Sequence, residues 1–170
     1  APDNHGYKFM RVDIEGDPVI DALAENVVET TRGTVIGRGD MKISTIEHAM
    51  SALYAAGIDN VLIRIDGPEM PILDGSAREY CERIAEVGVA EQEADKEFYI
   101  VKQKIEVRDD STGSSIIVLP DDDFTIDVKV GFASPVLANQ FATLEDIRDF
   151  PDQISAARTF VFVREIEPLL

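Results

Sequence analysis

Ser44-Thr45-Ile46-Glu47-His48 sets a carboxylate beside one of only two histidines in the 170 residues, at the start of a helical pattern. A Glu able to accept a proton next to a His able to bind a metal suits hydrolysis by a metal-activated water. Zinc catalysis normally takes three protein ligands plus water. The other histidine, His5, lies in a polar opening, and neither an H-E-x-x-H motif nor paired cysteines occur. Either another segment completes the site or no metal site exists.

Each member of the pair also has a structural reading. Ser44 and Glu47 have capping-box spacing, in which each side chain satisfies a backbone donor at the helix start. With Ser44 as the cap, His48 takes the fourth helical position, where an apolar partner for Ile43 would complete a hydrophobic staple. At about 100° per residue, Ile46, Met50 and Leu53 share one stripe with Tyr54 at its edge. His48 falls nearly opposite Ile46, flanked by Ser51, Ala52 and Ala55, small residues that leave room for something to approach. The positive end of the helix dipole favours a neutral imidazole and an ionised carboxylate there.

The elements that must hold this pair follow from pattern and punctuation. Tyr7 to Ile14 is β-rich, and Glu25 to Ile36 reads as strand material broken by Gly33. A turn at Gly37-Arg38-Gly39-Asp40 leads to a short strand ending at Ile43. The helix from Thr45 to about Ala56 stops at Gly57, and a strand follows over Asn60 to Ile65. After the turns at Gly67-Pro68 and Asp74-Gly75, Ser76 and Glu79 have capping-box spacing for a helix towards Glu86. Ala90 to Glu97 carries five charges in eight residues and reads as a connection between domains. Strands resume over Phe98 to Val107, Ser115 to Leu119 and Phe124 to Phe132, followed by a loop at Ala133-Ser134-Pro135. A short helix is expected around Leu144 to Asp149, interrupted by Pro151, and Ile154 to Leu170 fits strand or helix. The expectation is an α+β protein of two sheet-plus-helix halves, residues 1–92 and 93–170, with the second incomplete.

Composition narrows the function. With 45% hydrophobic and 29% charged residues the chain is globular, and no metal or disulfide is needed merely to fold it. Acidic side chains number 33 against 16 basic, a net charge of -17, which opposes attraction to nucleic acid or an anionic membrane. No apolar run is long enough to span a bilayer, and the opening residues do not resemble a secretion signal. The lone Cys81 suits a reducing compartment, so a cytoplasmic location is expected.

The run TTRGTVIGRGDMKISTIEHAMSALYAAGIDNVLIRIDGPEMPILDGSA, Thr30 to Ala77, resembles the UDP-3-O-acyl-N-acetylglucosamine deacetylases, zinc amidases of lipid A synthesis. The likeness continues in ISAARTFVFVREIEPL, Ile154 to Leu169, with the blocks in family order. The resemblance implies two α+β halves with the active site between them, His48 as a zinc ligand and Glu47 as the general base. It implies that Thr159, in A-R-T-F, steadies the tetrahedral oxyanion through its hydroxyl. Phe160 would contact substrate near its acyl chain, Phe132 would stack on the uridine, and Thr31 would lie in a loop approaching the metal site. Phe132 and Phe160 are equally the core residues that phenylalanines commonly are, and Thr31 equally a strand residue. Asp74 reads as a turn former.

The chain departs from the family at its ends and at Ser134, where the family often carries histidine. The family's G-L-H-T-G-like opening strand is missing, as is the H-K-x-x-D-x-x-G-D-L segment that supplies its other zinc ligands. These residues by themselves would therefore be inactive, with the remaining zinc ligands elsewhere. Some relatives are fused to a hydroxyacyl-carrier-protein dehydratase, so a fused dehydratase is possible here. The rival expectation is a non-catalytic α+β binding or interaction domain, in which Glu47 merely caps its helix.

Overall fold

The structure, a computed structural model, describes residues 1–132, 134 and 136–166. Ala133, Pro135 and the end of the expected Ile154–Leu170 element lie outside them. The fold is α+β, and its contacts divide the chain into one unit of Ala1–Glu93 with Arg148–Leu170 and a second of Ala94–Ile147. Residues after 147 thus group with the first unit, a division different from 1–92 and 93–170.

In the first unit, β1 (Tyr7–Arg11) runs between β2 (Val19–Asp21), antiparallel, and β6 (Val61–Ile65), parallel. Phe9 sits at the centre, opposite Ile20 on one side and Ile63 on the other. The strand expected to reach Ile14 ends at Arg11, because the chain turns and Gly16 adopts φ +87°. Sequence reading passed over β2, a three-residue strand too short to show alternation. A second sheet has the order β3 (Val27–Glu29), β4 (Val35–Arg38), β5 (Met41–Ile43), all antiparallel. A 3-10 turn at Ala24–Asn26 opens it where strand was expected.

Arg11 ties the two sheets together. Its guanidinium is forked onto Asp13 at 2.7 and 2.6 Å and donates to the Lys42 carbonyl of β5 at 3.0 Å. That pairing is what lets a charged side chain be buried in the sheet.

Two helices follow. Helix α1 (Glu47–Ala55) turns Ala49, Ala52, Leu53 and Ala55 inward and ends at Gly57, φ +70°. There Gly57 N–H donates to Tyr54 O at 3.0 Å and Ile58 N–H to Leu53 O at 3.1 Å, the paired bonds of a Schellman motif. Helix α2 (Arg78–Val87) packs on α1 and ends at Gly88. Its capping box is not formed: Ala77 is the cap residue, while the Ser76 hydroxyl donates to Asp74 at 2.6 Å. Phe9, Ile20, Ile36, Ile43, Ile46, Ala49, Ile65 and Met70 form the core of this unit.

The second unit holds two antiparallel pairs, β7 (Ile105–Asp109) with β8 (Ser114–Val118) and β9 (Ile126–Val130) with β10 (Gln140–Leu144). Phe98 to Lys104, expected as strand, is irregular, and β10 was not anticipated. Back in the first unit, α3 (Phe150–Gln153) contains Pro151 within its opening turn, where a missing N–H costs nothing. The expected interruption is therefore a helix start. A last turn, α4, spans Val163–Ile166.

Phe9 is fully buried on the central strand, so Phe9→Ala should remove about 3–5 kcal/mol of stability. The expected readout is a lower urea midpoint with an unchanged slope.

Candidate functional site

The Glu-His pair is placed by a joint where β5 turns into α1. Ser44 N–H donates to Pro68 O at 2.9 Å, Met70 N–H donates to Ser44 O at 3.0 Å, and Ser44 bridges Glu69 in parallel register. Thr45 then adopts φ +60°, a left-handed conformation costly for a β-branched residue, and its hydroxyl donates to Glu69 Oε1 at 2.8 Å. This extra turn moves the helix start two residues along. Ile46, buried, becomes the cap residue without a side-chain bond, Glu47 the first helical residue and His48 the second. The capping box of Ser44 and Glu47 is thus not formed, and the Ser44 hydroxyl instead donates to Pro68 O at 3.3 Å.

Freed from capping, Glu47 reaches the loop before β4. Its Oε2 accepts the Thr34 N–H at 2.9 Å, and a Cβ on Gly33 would lie 3.2 Å from its Oε1. One carboxylate oxygen is held by backbone while Oε1 has no hydrogen-bond partner among the described residues, which leaves that atom available to a water. The His48 imidazole is half-buried and likewise makes no hydrogen bond among the described residues, while its carbonyl accepts the Ser51 hydroxyl at 2.9 Å. A cleft of about 650 Å³ runs between α1, α2 and α3, with Ala52, Ala56, Cys81 and Ser155 in its walls and His48 not among its lining. Burial pushes the Cys81 thiol up.

Thr159 is held at a second turn in the same unit. Its N–H donates to Gly75 O at 2.8 Å, Ala77 N–H donates to Ser155 O at 3.0 Å, and Leu73 and Gly75 have φ of +51° and +83°. Asp74 joins the two segments. Its Oδ1 accepts the Ser76 N–H at 3.1 Å and hydroxyl at 2.6 Å, and its Oδ2 accepts Arg78 at 3.2 Å and Arg158 at 3.0 Å. The Ser76 hydroxyl first, then Arg158, hold the Asp74 carboxyl down to about 2.

The structure therefore brings Glu47 to Gly33 and Thr34, and Thr159 to Asp74 and Gly75. Residues 68 to 70, bonded to Ser44 and Thr45, lead directly into the second turn. Phe160 is exposed and meets Phe162 edge to face, with centroids 5.4 Å apart. Thr31 is exposed two residues before Gly33. Phe132 lies in the second unit, where its carbonyl accepts the Ser134 N–H at 2.7 Å and its N–H donates to Leu137 O at 3.3 Å. Sequence reading missed Thr34, Glu69 and Arg158. Arg158 stands beside Thr159 in A-R-T-F, and Thr34 and Glu69 lie within the Thr30–Ala77 run, but no spacing singles them out.

Among the described residues no three His, Cys, Asp or Glu side chains are gathered to hold a metal ion. His48 and Glu47 are an incomplete donor set for zinc, so these residues do not fit the ion by themselves.

An α+β unit that fixes an adjacent Glu and His at a helix start, with a threonine secured at a neighbouring turn, matches one family over its whole length. The chain belongs to the UDP-3-O-acyl N-acetylglycosamine deacetylase (LpxC) family, whose model covers residues 1–170. It is 64% identical over 170 residues to the bifunctional enzyme LpxC/FabZ of Bacteroides thetaiotaomicron, covering 100% of this chain and 37% of that protein. It is 58% identical to the bifunctional enzyme of the same name from Porphyromonas gingivalis, over 100% of this chain and 37% of that protein. To the UDP-3-O-acyl-N-acetylglucosamine deacetylase of Myxococcus xanthus it is 42% identical, over 99% of this chain and 54% of that protein. The chain thus spans between about a third and about half of the length of these relatives.

Because the folded Asp74 carboxyl lies near 2 against an ordinary 3.8, its contribution to stability is complete above about pH 4. It is lost as pH falls through about 2. The stability difference between wild type and Asp74→Asn, followed by denaturant unfolding, should accordingly shrink over that window and stay constant above it.

Proposed function

We propose that the whole protein is a cytoplasmic zinc-dependent amidase that removes the N-acetyl group of UDP-3-O-acyl-N-acetylglucosamine in lipid A biosynthesis. The observation that carries this reading is the Glu47 carboxylate, oriented by the Thr34 N–H beside His48, with its other oxygen free of hydrogen bonds among the described residues. Family membership over residues 1–170 supplies the substrate class.

In this reading Glu47 takes the proton of the attacking water as its oxygen bonds to the acetamide carbon. The Thr159 hydroxyl donates to the oxyanion that develops. The C–N bond then breaks, acetate leaves, and the amine departs with a proton from an acid outside these residues. His48 contributes one zinc ligand, the remainder being supplied by other sequence. No step here is assigned to the ion, since the donors present do not complete its set. Phe160 and Thr31 contact substrate, and Phe132 stacks on the uridine. A fused dehydratase is proposed as a second catalytic unit, supported by the two relatives named as bifunctional enzymes. No helix among the described residues is long and apolar enough to cross a membrane.

Glu47→Gln in the whole protein should lower turnover by about 10²-fold or more with folding intact. His48→Ala should lower bound zinc, measured by atomic absorption, along with turnover. Unchanged turnover and zinc content in both variants would instead support a non-catalytic module.

A further inference from the structure

The Thr159 hydroxyl makes no hydrogen bond among the described residues, so something other than a polar partner must set its direction. Its backbone is fixed instead, by the N–H bond to Gly75 O at 2.8 Å, and its methyl faces Gly75, where an added Cβ would stand at an ordinary contact distance of 3.5 Å from Cγ2. In a β-branched side chain, fixing one branch at χ1 fixes the other. The direction of Oγ1 therefore depends on how the 72–77 turn is docked against residues 155–159.

Two backbone bonds make that dock, Thr159 N–H to Gly75 O at 2.8 Å and Ala77 N–H to Ser155 O at 3.0 Å. Among the described residues the one side-chain bond across it is from Arg158 to Asp74 Oδ2 at 3.0 Å, spanning 84 positions of sequence. We propose that Asp74 is a positioning residue for the Thr159 hydroxyl, acting through Arg158 and the Gly75 turn. The inference rests on the reading of Thr159 as oxyanion donor.

Arithmetic favours geometry over stability as the purpose of this pair. Arg158 is 61% exposed in its side chain, and ion pairs so open to solvent contribute little to folding. Oxyanion donors, by contrast, are sensitive to small displacements, since about 1 Å of misplacement can cost about 10²-fold in rate. Asp74 also remains ionised throughout the neutral range, so the clamp persists wherever the enzyme would work.

The test is a double-mutant cycle on the whole enzyme, reading kcat and KM separately. Thr159→Val should lower kcat by about 10²-fold. Asp74→Asn should lower kcat by about tenfold with KM unchanged, and should have no further effect in the Thr159→Val background. Arg158→Gln spares the Ser76 bonds of the turn and should reproduce the same coupling, which keeps the test valid if Asp74→Asn does not fold. An equal loss in both backgrounds, or no loss of kcat, would overturn positioning while leaving the role of Thr159 intact. Wild-type kcat in Thr159→Val would overturn that role, and this proposal with it.

Discussion

The placement of the Glu-His pair depends on the backbone joint through Ser44. Its N–H and carbonyl are both taken by the 68–70 segment, so the chain cannot simply continue from β5 into a helix. Thr45 absorbs the change of direction at φ +60°, a conformation costing about 1–3 kcal/mol. What makes this tolerable is the next residue: Ile46 is carried into the core, and full burial of such a side chain is worth about 1.5–3 kcal/mol. A capping box contributes only about 1 kcal/mol, so the local preference yields to burial and to the backbone bonds at Ser44. Glu47 is then free to face the Thr34 loop instead of its own helix end.

Strain is distributed accordingly. Among the described residues five non-glycines have positive φ, and three of them, Arg32, Thr45 and Leu73, precede Gly33, Glu47 and Asp74 by one or two positions. Each of these lies at a place where backbone or carboxylate is brought to a particular atom of the site. Strained backbone persists only where surrounding bonds over-determine it, and the Thr45 hydroxyl on Glu69 and the Arg158 bond to Asp74 are such bonds.

Local chemistry was legible in the sequence and tertiary competition was not. Gly57 marked the end of α1, alternation marked Val61–Ile65, and the apolar stripe of Ile46 and Leu53 is buried as periodicity required. Neither capping box forms as spaced: the Ser44 hydroxyl turns to Pro68 O, and the Ser76 hydroxyl, while donating to Asp74, accepts the N–H of Arg78 at 3.3 Å and not that of Glu79. Pro151 was misread because the same residue that breaks a helix interior is at home in its first turn. From local chemistry the candidate site was legible as the adjacency of Glu47 and His48, while Thr159 was pointed to by the family resemblance. Its supports come from residues 13 to 84 positions away, and no local pattern encodes that pairing.

Gly33 shows how such a support can be recognised afterwards. Several glycines here have positive φ and are explained by backbone freedom alone, but Gly33 is not among them. A left-handed φ is therefore not what favours glycine at this position. What crowds a side chain there is the Glu47 carboxylate, whose Oε1 would stand 3.2 Å from a Cβ, tighter than ordinary contact. The glycine thus suits the close approach of this loop to the Glu47 carboxylate. With Thr34 N–H binding Oε2 from the adjacent position, the two residues form one backbone surface against which Glu47 has a single orientation. A larger residue at 33 would press the carboxylate or the loop aside by a few tenths of an ångström, and either movement strains the bond from the Thr34 N–H that distinguishes the two oxygens.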